Sequence, residues 1–470
     1  MNNKEKNNPI PAPFGWRDKI GYLLGNIGND FTFSFASIFL LVFYTKVLGI
    51  ASELVGTMFL LARFLDAFTD ITMGRIVDRL RGNKNGKFRP WLLRMAFPVA
   101  FASFLMYQSS LANASYGLKV TYMFATYLVW GSVFYTAVNI PYGSMASVIS
   151  PEADHRASLS TARSLGSVLS NLVVGIAAPA MIYTSDQSGN QIVVGESFPR
   201  VAAIFSIVAF VCYILCYFLT TERVRTESAA QRPSLNLKET AKTLVTDRAL
   251  IGIVLASVCV LAAQLLNQAI NQYLFIDYFK DKSGVMIMTV ASMIPGLLLA
   301  PFAVPISRRF GKKEVGIFGC LCGAVSCFLL FILQTTSMWT YIIINILGFL
   351  GFGIFNLIMW AFITDIIDDR EVRFGTREDG TVYAVYSFAR KVGQAIAGGL
   401  GGWTLAWIGF DSSQQIQTPQ VARGIYNIAT IIPAILYFAV ALALLFIYPL
   451  SKKRVLQNIN TLRSRADEVK

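Results

Sequence analysis

"LLARFLDAFTDITMG", residues 60–74, is apolar enough for a helix in a lipid bilayer, yet it carries Arg63, Asp66 and Asp70. These three fall at i, i+3 and i+7, so on a helix they share one face. Asp66 and Asp70 are one turn apart, roughly 6 Å along the axis. Ionisable groups at membrane depth normally face a bundle interior and mark ion or substrate paths. Two close carboxylates raise each other's proton affinity, while a guanidinium lowers it. Such a cluster can hold a proton, or supply hard oxygen ligands to a small cation, and release either when its surroundings change. A bland alternative is an Arg–Asp clasp between neighbouring helices.

The composition fits that setting. Of 470 residues, 54% are hydrophobic and only 14% charged, against about 25% charged in a soluble protein. Long apolar runs predict twelve helices at 19–48, 54–80, 92–111, 117–147, 156–183, 198–220, 248–278, 284–306, 314–335, 339–366, 380–408 and 423–449. Each is long enough to cross roughly 30 Å of hydrocarbon. The expected fold is therefore an all-α membrane protein of two six-helix halves. These are 1–220 and 251–470, the latter with a tail, joined by a hydrophilic central loop at 221–250. The polar, Pro-rich N-terminus has no cleavable signal pattern, so the first helix should direct insertion.

Lys and Arg set the orientation. They concentrate in the termini and in the loops near 75–94, 223–248, 308–313 and 370–377. The opposite side holds Lys46, Lys119, Arg200, Lys280, Lys282 and Arg423. Both termini are therefore expected in the cytoplasm of a cell-membrane protein. The net charge of +14 reads as a basic rim facing anionic lipid, with no nucleic-acid partner.

"GRIVDRLRGNKNGKFRP" (74–90) and "PISRRFGKKE" (305–314) occupy equivalent places after the second and eighth helices. They resemble the basic loop signature of the major facilitator superfamily, whose two halves rock around a midplane site. Arg75, Asp78, Arg79, Arg308 and Arg309 are the gating candidates, expected to latch onto acids such as those of "DIIDDRE" (365–371).

Other helices add polar groups. The first carries Asp30. The fourth, "FYTAVNIPYGS" (134–144), carries Tyr135, Thr136 and Asn139, with Thr136 and Asn139 on one face. The fifth carries Arg163 and the eleventh Arg390, Lys391 and Gln394. The seventh has a polar stripe, Gln264, Asn267, Gln268 and Asn271, readable as a ligand surface or as interhelical bonding. Trp360 is readable as a packing residue or as a platform for a sugar ring. Carboxylate and guanidinium forks suit vicinal hydroxyls.

"RFLDAFTDITMG", "NIPYGS", "WAFITDIIDDREVRFGTREDG" and "YSFARKVGQAIAG" resemble the glycoside–pentoside–hexuronide:cation symporters, the melibiose permease-like family. The resemblance runs from about residue 17 to 450. It implies a sugar site on Asp30 and Arg163 with Trp360 beside the sugar. It implies a cation site on Asp66, Asp70 and Thr136, with Lys391 near both. Tyr135 and Asn139 complete the expected sugar contacts, and Asn139 also joins the cation shell. Melibiose carriers have Asp in place of Asn139 and Trp in place of Gly143. Asn139 thus removes a negative charge from the cation cage, and Gly143 removes an aromatic wall from the sugar pocket. The expected function is sugar uptake coupled to a cation, H+ in preference to Na+, at Asp66 and Asp70. A Na+-coupled carrier, or a lysolipid carrier of the same fold, is the alternative. A monomer without cofactors is expected.

An enzyme is not expected. No Ser-His-Asp set, metal cluster or nucleotide loop occurs, and the only histidine, His155, is expected in a loop. The six cysteines lie in apolar helices and read as packing thiols. Glycines in "GGLGGW" read as sites of close helix approach.

Overall fold

A computed structural model describes residues 13–79, 86–224, 247–375 and 379–468. Twelve long helices account for most of them. They are α1 Trp16–Val47, α2 Ser52–Arg79, α3 Arg89–Leu105, α4 Tyr116–Ile149, α5 Ala153–Ile182 and α6 Ser197–Leu219. From residue 248 onward come α7 Arg248–Tyr278, α8 Ser283–Phe310, α9 Lys312–Leu333, α10 Met338–Phe374, α11 Asp379–Trp407 and α12 Pro419–Ile447. Ten are apolar enough to cross a membrane by length and composition. The other two, α2 and α11, have 28 and 29 residues, about 42 Å of helix at 1.5 Å per residue. Their charges, not their length, set them apart, and those charges are the ones singled out above.

Three features are additional to the sequence reading. A thirteenth helix, α13, spans Lys452–Glu468. A short antiparallel hairpin pairs β1, Tyr183–Ser185, with β2, Gln191–Val193. Four helices contain π-helical stretches: Phe43–Val47, Val129–Tyr135, Leu274–Tyr278 and Ala443–Ile447. His155 lies in the first turn of α5, not in a loop, and stacks on Phe14.

The chain forms two compact units. The first comprises Met1–Ala36, Leu65–Ala178 and Gly195–Arg232. At one end of it, buried Asp18 accepts both Nη groups of Arg223, at 3.0 and 2.8 Å. Beside it, the Glu222 carboxylate accepts the backbone N–H groups of Lys87, Phe88 and Arg89 at 2.7, 2.8 and 2.7 Å. These are donors that the start of α3 cannot satisfy internally. Gly86, at φ +107°, allows this approach, because a Cβ there would lie 2.6 Å from the Glu222 carboxyl carbon.

The second unit comprises Ser37–Phe64, Pro179–Val194 and Pro233–Lys470. The β-hairpin and the ends of α1 and α2 that flank residues 48–51 therefore pack with the later helices. Small residues permit the closest crossing: a Cβ on Gly56 of α2 would lie 2.7 Å from the Gly399 carbonyl of α11, and Gly402 meets the same turn. This bears out the packing role read from "GGLGGW". Gly348 and Gly351 of α10 make a similar seam on Ser326 and Cys322 of α9. Several buried charges of this unit are paired. Buried Asp247 caps α7 through the N–H of Ala249 and accepts Arg370 and Arg373 at 3.0 and 2.7 Å. Asp369 accepts Arg454 and Asn458 of α13, each at 3.0 Å. All six cysteines are free thiols.

Candidate functional site

The first unit gathers polar groups from α1, α4 and α5. Gly166 of α5 lets that helix meet α1, since a Cβ there would lie 2.9 Å from the Leu23 carbonyl and 3.1 Å from the Asn26 Cβ. At that crossing Asn26 Nδ2 donates to Asp30 Oδ2 at 2.7 Å and to Ser167 Oγ at 2.9 Å. On the adjoining side Gly25 leaves room for Tyr142 of α4, whose hydroxyl donates to the Tyr22 carbonyl at 2.6 Å. The Tyr22 and Tyr142 rings stack with centroids 4.6 Å apart. Arg163 lies over the Tyr142 ring at 5.5 Å, a cation–π contact. It is exposed and within electrostatic reach of Tyr22, Tyr135, Tyr142 and Asp30.

Asp30 and Arg163 are thus neighbours, as expected from their charges, but no described ion pair joins them. Asp30 is held by an amide instead, and Arg163 by an aromatic face. Tyr135 stacks with Phe33 at 5.7 Å. Gly143 faces Arg163, with its open Cβ position 4.0 Å from Nη1. The missing aromatic wall noted in the sequence therefore lies against this guanidinium.

A second polar group joins α2 to α4. The Ser132 hydroxyl donates to Asp66 Oδ1 at 2.6 Å, and the Thr136 hydroxyl to Asp70 Oδ1 at 2.8 Å. Thr136 Oγ1 also lies 3.2 Å from the Gly131 carbonyl. Gly131 turns its open side toward Asp66, a Cβ there falling 3.8 Å from Oδ1. The π-helical stretch Val129–Tyr135 of α4 carries Gly131 and Ser132, and Thr136 follows it directly. Its wider turn brings Ser132 and Thr136 to the two carboxylates together, and such stretches recur at functional sites. Asp66, Ser132 and Thr136 are buried, Asp70 and Asn139 half-buried. Two carboxylates and two hydroxyl oxygens can share a proton or partly replace the water shell of a small cation.

In this second group Ser132 is absent from the sequence reading. Its position four residues before Thr136 was a usable signal, but nothing in the sequence sets one intramembrane serine apart from others. Lys391 and Trp360 belong to the second unit. Lys391 is half-buried on α11, and the side chains of Trp360 and Asp78 lie outside the described residues. Arg75 and Arg79 are exposed at the end of α2, and Arg308 and Arg309 in the last turn of α8. Within the second basic segment Lys312 makes the contact expected with "DIIDDRE", pairing with Asp365 at 2.6 Å. Beside the helix-seven stripe Gln272 accepts from Tyr183 at 3.1 Å, while the Asn267 and Asn271 carbonyl oxygens of the stripe are buried without a described partner.

Residues 21–452 match the model of a family described as MFS/sugar transport protein. A glucuronide carrier protein homolog of Escherichia coli is 31% identical over 93% of each chain. A Bacillus subtilis protein named as the uncharacterized symporter YjmB is 30% identical over 96% of each. The crystal structure of the nucleoside transporter NupG superposes with a TM-score of 0.64, covering 92% of this chain and 98% of its own, at 13% identity. That last likeness carries the fold alone. The chain is thus a multi-pass membrane protein of transporter, not enzyme, descent, and it belongs to the MFS/sugar transport family, the glycoside–pentoside–hexuronide:cation symporters of the major facilitator superfamily.

Proposed function

We propose that the protein takes up a sugar together with a proton by alternating access, with both termini in the cytoplasm and the monomer as the working unit. Sugar hydroxyls are read by Asp30, Arg163, Tyr135 and Asn139, and Trp360 and Lys391 are assigned to sugar recognition by the family resemblance alone. The coupling ion is carried at Asp66 and Asp70. Arg75, Asp78, Arg79, Arg308 and Arg309 serve the cytoplasmic gate.

One observation carries this reading: the first unit holds two separate polar constellations, Asn26–Asp30–Ser167 with Arg163, and Asp66–Ser132 with Asp70–Thr136. One suits hydroxyls and the other an ion. An acidic sugar, a hexuronide, fits best, because Arg163 is held by an aromatic face rather than by an acid and can accept the substrate's carboxylate. The glucuronide carrier homolog supports that choice.

A proton requires only one carboxylate with a matched proton affinity, and Asn139 supplies no third charge for sodium. Sodium coupling remains the second reading, favoured by the Ser132 hydroxyl as an extra neutral oxygen. Proteoliposomes given p-nitrophenyl β-D-glucuronide outside should alkalinise their external medium as sugar enters. Sodium-stimulated entry without alkalinisation would assign the other ion.

A further inference from the structure

We propose that Asn26, with Ser167, is a positioning residue for the sugar: it fixes the Asp30 carboxylate so that one oxygen stays free to accept a substrate hydroxyl. The inference rests on the reading of Asp30 as a sugar ligand. Neither Asn26 nor Ser167 belongs to any charge cluster or motif in the sequence.

Asn26 is buried, with 2% of its surface exposed. An amide nitrogen has two protons, and both are committed, one to Asp30 Oδ2 at 2.7 Å and one to Ser167 Oγ at 2.9 Å. Ser167 therefore acts as acceptor toward Asn26, which leaves its own proton for Asp30, with which it also interacts. Asp30 then has two neutral donors from two helices and needs no cation to hold it. The close approach at Gly166 sets the distance between those helices.

The consequence is mechanical as well as electrostatic. A carboxylate on a helix has two rotatable bonds, and a free one would swing toward Arg163. That ion pair would occupy both groups the sugar needs. Asn26 holds Asp30 back by a bond to Oδ2, so the carboxylate and the guanidinium remain two separate groups for the substrate. Preorganised acceptors of this kind lower the ordering cost of binding. They do not drive later conformational steps, so their loss should appear in KM and not in the maximal rate.

The test measures uptake of p-nitrophenyl β-D-glucuronide and p-nitrophenyl β-D-xyloside by proteoliposomes, with counterflow as the readout of sugar recognition. Asn26→Leu should raise KM for the transported glycoside about ten- to a hundredfold, the range spanned by loss of a charge-assisted hydrogen bond. Its maximal rate should stay within about twofold of the parent. Ser167→Ala should raise KM about threefold, and Asn26→Ser, which keeps a donor, should fall between the two. Should Asn26→Leu fail to fold, Asn26→Ser and Ser167→Ala carry the test. An unchanged KM in the folded variants, or a fall in maximal rate at constant KM, overturns the inference. Asp30→Ala is the control. If it binds sugar normally, the sugar-site reading fails. If it loses binding while the Asn26 and Ser167 variants do not, only the positioning role fails.

Discussion

Lys46 and Asp277 form a deeply buried ion pair inside the second unit. The Nζ–Oδ1 distance is 2.5 Å, and the side chains are 1% and 3% exposed. Both stand in π-helical ends, Lys46 in that of α1 and Asp277 in that of α7. Thr45 and Tyr273 join the same ends through a hydroxyl contact of 2.8 Å. Lys46 also donates to the Gln415 carbonyl at 3.0 Å, and Gln415 Nε2 returns a bond to the Lys46 carbonyl at 2.9 Å. Asp277 has no such second partner, and its Oδ2 is buried and unsatisfied among the described residues.

The two removals should therefore differ. Breaking a buried pair costs about 3–5 kcal/mol, because a charge is left without a partner. Lys46→Leu strands Asp277 completely and should fall at the upper end, roughly a 10³-fold shift in the unfolding equilibrium at 1.4 kcal/mol per tenfold. Asp277→Leu leaves Lys46 its carbonyl and should cost nearer 3 kcal/mol. The double variant, apolar on both sides, should regain most of the loss. A double-mutant cycle on denaturant-induced unfolding in micelles reads this coupling. Additive single effects, or single effects below about 1 kcal/mol, would refute the reasoning. The pair ties the end of α1 to the end of α7 within this unit. The charge-swapped variant Lys46→Asp/Asp277→Lys should then transport better than either single swap.

Other contacts make simpler predictions. Glu222→Gln replaces an anion bonded to three backbone N–H groups by an amide with one acceptor oxygen. It should destabilise the first unit by about 2 kcal/mol, read by the same unfolding titration, and a neutral result would remove Glu222 from the clamp at α3. Asp369→Ala should release α13 from α10, because it removes the acceptor of both Arg454 and Asn458. Faster amide exchange across residues 452–465 is the expected signature, and unchanged protection would count against it.

The helices were legible because a bilayer demands long apolar runs, and α2 and α11 stood out because charge is costly there. The same logic found Asp30, Asp66, Asp70 and Arg163 singly. It did not reach their partners. Asn26 and Ser167 lie 141 positions apart, Ser132 and Asp66 lie 66 apart, and only packing brings them together. The charge count places Lys46 among the exterior basic residues, although "FYTKVLG" has the same signature of a charge in an apolar run as "LLARFLDAFTDITMG". Its partner Asp277 lies 231 residues away, and local periodicity carries no information at that range. α13 is not legible because its polar sequence resembles a tail, and its contacts include the bonds of Arg454 and Asn458 to Asp369 and the packing of Val455.

Sugar recognition and ion coupling are proposed to sit on different carboxylates. The most direct measurement compares gradient-driven accumulation with counterflow of p-nitrophenyl β-D-glucuronide in proteoliposomes of the parent, Asp70→Asn and Asp30→Ala. The parent should accumulate sugar when the outside is acid. Asp70→Asn should lose accumulation yet retain counterflow, and Asp30→Ala should lose both. Accumulation by Asp70→Asn at the parent level, or counterflow by Asp30→Ala, would contradict the account.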